Sequence, residues 1–127
     1  MSMKIEFQNN TLKINNRELE LIDEIKDVIE FDDFLVIRTD TDKSSTNENV
    51  YGINKNGEIK WQIEKISHLS YNDAEFKGII DPYTTINKIS ENKVQLINWD
   101  NTHFQIDANS GKILTNPMKS RIGKRTW

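Results

Sequence analysis

One short phrase of sequence occurs twice in this chain, and it constrains the fold more than any other feature. YGINKNGEIKWQI spans residues 51–63 and FQIDANSGKIL spans residues 104–114. In each, an alternating stretch ends at Ile53-Asn54 or Ile106-Asp107, and a polar turn closes on Gly57 or Gly111. A second alternating stretch then begins at Ile59 or Ile113. Period-two alternation on both sides of a glycine-closed turn predicts a β-hairpin, made here twice. Asp107, Asn109 and Gly111 suit a turn whose side chains hydrogen-bond its own backbone, with no need of a metal.

A degenerate third copy opens the chain. Ile5 and Phe7 alternate, Leu12 and Ile14 follow, and Leu19 and Leu21 resume after Asn15, Asn16 and Arg17. This turn lacks glycine, and Asn15 and Asn16 can supply the left-handed backbone instead, because asparagine tolerates positive φ better than other residues with a side chain. Ile14, Ile53 and Ile106 lie 39 and 53 residues apart, the scale of sheet modules and not of helical repeats. Two of the hairpins are preceded by dense apolar runs, FLVIRT at residues 34–39 and KVQLINW at 93–99, so the expected module has three strands.

Between the first dense apolar run and its hairpin, residues 40–49 read as an exposed, mobile polar loop. Residues 64–92 read as a long connector in which Phe76, Ile79 and Ile80 mark one strand and Asp81-Pro82 a turn. Residues 21–31 place Ile22, Ile25, Val28 and Ile29 at helical spacing with acids opposite, and they fit a short helix or a bent strand alike. Only two alanines occur among the 127 residues, while β-branched residues are frequent. The expectation is one mainly β domain over residues 1–127. It should hold eight to ten short strands in antiparallel sheet modules, partly propeller-like or curved, with room for one short helix and a basic stretch at 119–127 that can fray.

The residues that repeat also carry a resemblance. Val50, Tyr51, Ile53, Asn54, Gly57, Ile59 and Trp61 within residues 50–63, and Phe104, Ile106, Asp107, Gly111, Lys112 and Ile113 in the second copy, resemble the blade signature of quinoprotein-like β-propellers. The second copy has Thr115 where the tryptophan would stand. The resemblance implies blade-like geometry. A closed propeller needs at least about four blades of four strands, and the chain has room for three, so that family's enzyme activity and cofactor are not carried over.

Few side chains could perform chemistry. There is no cysteine, which removes disulfides, thiolate metal sites and a cysteine nucleophile. The imidazoles are His68 and His103, and neither Ser67 nor Ser70 has an evident activating partner or a G-x-S-x-G elbow. Gly57 and Gly111 belong to no phosphate-cradling glycine pattern. Asp40, Asp42, Ser44, Thr46 and Glu48 alternate like the start of a calcium loop, but Ser45 stands where glycine is required and Tyr51 where the bidentate glutamate is. The expectation is a protein that is not an enzyme and has no cofactor and no metal.

Charge placement says more. Residues 18–48 hold eleven acids against three bases, and residues 108–127 hold five bases and no acid. An acidic face repels nucleic acid and attracts proteins that bind it. The candidate partner-binding residues are Asp23, Glu24, Asp27, Glu30, Asp32, Asp33, Asp40 and Asp42. Small, acidic, cysteine-free proteins of this kind resemble, as a class, the immunity proteins with which bacteria neutralise toxic nucleases, so the expected partner is a basic protein such as a cognate toxin domain. The alternatives are a small-ligand domain lined by Tyr51, Trp61, Tyr71, Tyr83 or Trp99, and an enzyme with dispersed acids. Mean hydropathy is −0.70 and no run approaches the roughly 18 apolar residues of a membrane span, so a soluble, cytoplasmic setting is expected.

Overall fold

Phe34, Leu35, Val36 and Ile37 are consecutive and all buried. A strand can bury both alternating faces only with a packed layer on each side. That requirement organises the molecule. The computed structural model describes residues 4–40, 48–63, 83–98 and 102–114, and the backbone of 118–119.

Eleven strands are formed among these residues, with no helix. β1 (Ile5–Gln8), β2 (Thr11–Ile14) and β3 (Arg17–Glu20) make the first sheet. The middle sheet runs β4 (Ile25–Glu30), β5 (Phe34–Thr39), β6 (Val50–Asn54) and β7 (Ile59–Gln62). The third runs β8 (Tyr83–Ser90), β9 (Lys93–Asn98), β10 (Thr102–Asp107) and β11 (Met118–Lys119). All pairings are antiparallel between sequential neighbours.

The middle sheet uses Leu35, Ile37, Tyr51 and Ile53 to pack against Leu12, Ile14 and Leu21 of the first module. Its other face, with Phe34, Val36, Val50 and Trp61, packs against Tyr83, Val94, Leu96, Phe104 and Ile106 of the third. Two cores therefore share the middle sheet, with β5 and β6 contributing buried residues to both. The outward faces are polar. Alternation against buried Leu12 and Ile14 turns Glu6, Lys13 and Glu18 outward, and alternation against buried Val94, Leu96, Phe104 and Ile106 does the same for Lys93, Gln95, Gln105 and Asp107.

The hairpin turns form as the sequence predicts. Asn15 and Asn16 have φ of 48° and 74°, and Gly57 and Gly111 have 78° and 75°. Asn54 Oδ1 accepts hydrogen bonds from the Asn56 and Glu58 amides at 2.9 and 3.0 Å, and Asp107 Oδ1 accepts from the Asn109 amide at 2.8 Å. The amides of Gly57 and Gly111 donate to the carbonyls of Asn54 and Asp107.

Three expectations are corrected and one open alternative is resolved. Residues 25–30 form β4, so of the helix and the bent strand that the spacing allowed, the bent strand is the one that forms. A bulge between Ile25 and Asp27 shifts the strand's phase, so that Ile25 and Val28 join one core and Ile29 the other, which imitates helical spacing. The connector at 64–92 contains a regular strand, β8, so the middle and third modules have four strands and not three. Ile113 makes an isolated bridge to Ile106 instead of opening a paired strand, and β11, which includes Lys119, pairs with β10. Among the described residues there are eleven strands, not eight to ten. The expected features at Phe76, Ile79, Ile80, Asp81 and Pro82, most of the 40–49 loop, and residues 120–127 lie outside the described residues.

Candidate functional site

Three contacts fix the middle sheet to the third and thereby set the surface between them. Trp61 lies across Gly52 of its own sheet and Gly111 of the next. A Cβ built on Gly52 would stand 2.3 Å from the indole Nε1, and one on Gly111 would stand 2.4 Å from Cε3. The indole N–H donates to the Ala108 carbonyl at 2.9 Å, so the ring's polar edge is satisfied as well as its faces. Buried Asn49 donates through Nδ2 to the carbonyls of Thr39 and Tyr83, and its Oδ1 accepts from the Tyr83 amide. Arg38 Nη1 reaches the same Tyr83 carbonyl at 3.4 Å.

Seven of the eight acids singled out in the sequence fall into four environments. Asp23 is buried, so it underlies the surface and does not form it. It faces Tyr51, whose hydroxyl is pushed above its usual range by burial first and by the charges of Asp23 and Glu48 second. Asp27 pairs with Arg38 directly across β4 and β5, with the arginine largely buried. Glu24 and Asp40 bracket one cation, Lys26, at 2.7 and 4.0 Å. Glu30, Asp32 and Asp33 are exposed and make no ion pair among the described residues. Asp42 lies outside the described residues.

The last group sits on a built support. Asp32 and Asp33 form the tip between β4 and β5, and Phe31 and Phe34 flank them. The two rings stack in parallel, centroids 4.7 Å apart and 1° between planes, and the Phe31 amide donates to the Phe34 carbonyl at 2.9 Å. Lys60 Nζ lies 4.1 Å from the Phe34 centroid and Lys88 Nζ lies 4.6 Å from that of Phe31. Such cation–π contacts at exposed lysines contribute about 0.5–1 kcal/mol each. The acidic tip is thus held rigidly, with an ammonium group over each ring. Sequence reading missed this aromatic clasp, although the Phe-Asp-Asp-Phe pattern carries its signal.

Other candidates are placed differently. Tyr51, Trp61 and Tyr83 are buried in the cores and line no open surface, while Tyr71 and Trp99 lie outside the described residues. His103 faces outward on β10, and partial burial lowers its pKa below the usual 6.5. His68 lies outside the described residues. Among the described residues no group of three His, Asp or Glu is placed to hold a metal ion. No described helix is long and apolar enough to cross a membrane.

Fold and surface together define a blade-like, all-β stack of three antiparallel sheets. Residues 2–118 match the family described as Domain of unknown function (DUF7957), and the chain belongs to that family. No curated protein matches it significantly in sequence. Among solved structures it is similar to the computationally designed Ika8 protein, with TM-score 0.58 and 15% identity over 90% of this chain and 35% of that one. BamB from Moraxella catarrhalis gives TM-score 0.58 and 20% identity over 91% and 32%. The computationally designed Ika4 protein gives 0.57 and 17% over 88% and 69%. The chain spans about a third of the length of the first two. At these identities the likeness is one of fold, and BamB, a β-propeller, bears out the blade-like geometry read from the repeated hairpin.

Proposed function

We propose that this domain is a non-catalytic protein-binding module, in its most concrete form an immunity-type inhibitor that blocks a basic toxin domain in the cytoplasm. The observation that supports this reading is the unpaired acidic tip formed by Glu30, Asp32 and Asp33, carried on the stacked Phe31 and Phe34 rings. A rigid tip loses little conformational entropy on binding. Exposed carboxylates steer a basic partner and speed its association. The sequence, with few groups able to act as nucleophile or base, agrees with a role exerted by occlusion.

The test is calorimetry between the domain and the toxin domain encoded beside its gene. Binding at micromolar concentration or tighter is expected. The combined Glu30→Gln, Asp32→Asn and Asp33→Asn variant should slow association and flatten its salt dependence. Absence of binding, or binding indifferent to the three changes, would refute the reading.

A further inference from the structure

Among the described residues the first sheet is one strand short of the others, and the strand it lacks is the one that would stand beside β1. The turns align the modules. Asn15-Asn16 follows β2 as the turn closing on Gly57 follows β6 and the turn closing on Gly111 follows β10. β1 is therefore the counterpart of β5 and β9, and among the described residues nothing stands beside it where β4 and β8 stand beside theirs. The register carries this to single residues. Leu12 pairs with Phe7 and Leu19 as Gly52 pairs with Val36 and Trp61, so Phe7 corresponds to Val36. Val36 is fully buried beside Ile29 of β4, whereas Phe7 is 47% exposed. An aromatic left half exposed on a core-forming face is what the lack of a covering strand produces.

The main chain shows the same vacancy. Asn9 and Asn10 form a two-residue loop, so Gln8 and Thr11 are its hydrogen-bonded closing pair and Glu6 with Lys13 is the next. Lys4 keeps the same parity, its carbonyl accepting from the Asn15 amide at 2.9 Å. The N–H and C=O groups of Ile5 and Phe7 consequently point away from β2, toward the side without a strand.

We propose that this edge of β1 is the docking site for an extended strand of a partner protein, added antiparallel. Main-chain hydrogen bonds supply affinity in such an addition, and alternate side chains supply specificity. β4 is the template for the sequence that fits. An apolar residue lies beside Phe7, as Ile29 lies beside Val36. The neighbouring residue lies beside Glu6, which makes no ion pair among the described residues, so a lysine or arginine is the complementary choice. A second copy of β1 fits less well. The register that matches its Ile5 with Phe7 sets Glu6 against Glu6. This docking mode is independent of the acidic tip and does not require a toxin as partner.

The test is amide hydrogen exchange, followed by NMR, on the full chain with a short blocked peptide alternating isoleucine or valine with lysine. At about millimolar peptide, where weak strand addition is populated, the Ile5 and Phe7 amides should exchange at least about tenfold more slowly. A scrambled peptide of the same composition should have no effect. Phe7→Pro removes one outward N–H without touching the β2 ladder and should abolish the effect, and Glu6→Lys, which leaves the backbone alone, should weaken it. No slowing at Ile5 and Phe7 would overturn the proposal. So would equal slowing by the scrambled peptide, protection of those amides already present in the free protein, or protection that rises with protein concentration alone, which would make the occupant a second copy.

Discussion

Replacing Gly111 by alanine probes how the second and third sheets are joined. The new Cβ would stand 2.4 Å from Trp61 Cε3 and 2.6 Å from Cδ2, far inside contact, on a backbone with φ of +75°. Overpacking of this kind costs about 1–3 kcal/mol, and a left-handed backbone costs a residue with a Cβ about 1–2 kcal/mol. Gly57→Ala carries the second cost with a much smaller steric one, because at φ +78° its nearest neighbour is Arg17 Cβ at 3.2 Å, which a shift of a few tenths of an ångström relieves. Trp61→Ala by itself should cost about 3–5 kcal/mol as a deleted core aromatic. Once the ring is gone, Gly111→Ala retains only its backbone cost. The double variant should therefore be about 1–3 kcal/mol more stable than the sum of the singles, a coupling expected only between residues in contact. Urea unfolding followed by circular dichroism measures all four proteins, with Trp61→Phe replacing Trp61→Ala if that variant is unfolded in buffer. Additivity within about 0.5 kcal/mol, or a Gly57→Ala cost equal to that of Gly111→Ala, would refute the claim that Gly111 is glycine in order to receive the indole.

Asn49→Ala strips partners from the Thr39 carbonyl and from both main-chain groups of Tyr83, and should cost about 2–4 kcal/mol in the same urea assay. Asn16→Gly at φ 74° creates the Asn-Gly pair that a two-residue hairpin favours, and should raise stability by a few tenths to about 1 kcal/mol. Because burial lowers His103, the folded state binds fewer protons than the unfolded chain. Its contribution is present above about pH 6.5 and is lost as pH falls through the native value, so His103→Gln should flatten stability between about pH 7.5 and pH 5. Neutralising Asp32 and Asp33 should shift stability by no more than about 0.5 kcal/mol, since both are exposed and unpaired among the described residues.

The hairpins were legible because a turn is a local object. Its φ requirement and its Asx hydrogen bonds are written in Asn54, Gly57, Asp107 and Gly111 themselves. β5 was legible because burial on both faces leaves an unbroken apolar run. β4 was not, because the bulge at Ile25 and Asp27 replaces period two with an apparent spacing of three, and only pairing with β5 reveals the shift. β8 escaped notice because Tyr83 and Ile86 are its buried apolar residues while Lys88, Ile89 and Ser90 are exposed, so no alternation spans its length. Sequence composition marked the acidic third as a surface, but composition cannot tell a carboxylate that is buried, like Asp23, or bound to Arg38, like Asp27, from one that is available. Three-dimensional pairing narrows the seven described acids to a tip of three.

Among the described residues, the two outer sheets of the stack differ from the middle one in a way visible in the register. Where the middle sheet turns Phe34, Val36, Val50 and Gly52 toward the third, the third turns the corresponding Lys93, Gln95, His103 and Gln105 outward. Where the middle sheet turns Leu35, Ile37, Tyr51 and Ile53 toward the first, the first turns the corresponding Glu6, Gln8, Thr11 and Lys13 outward. Each end has thus exchanged four core positions for polar ones, as the terminal units of a repeat must when no neighbour covers them. A fourth sheet laid on either face would bury charged side chains, the Lys13–Glu18 pair among them, at several kcal/mol per ion. Further association is then pushed from the sheet faces to the sheet edges and the turns. Two such features stand out among the described residues, the strandless edge of β1 and the acidic tip between β4 and β5. Among the described residues, a blade-like scaffold with polar end faces leaves its strand edges and turns as the surfaces still open to pairing.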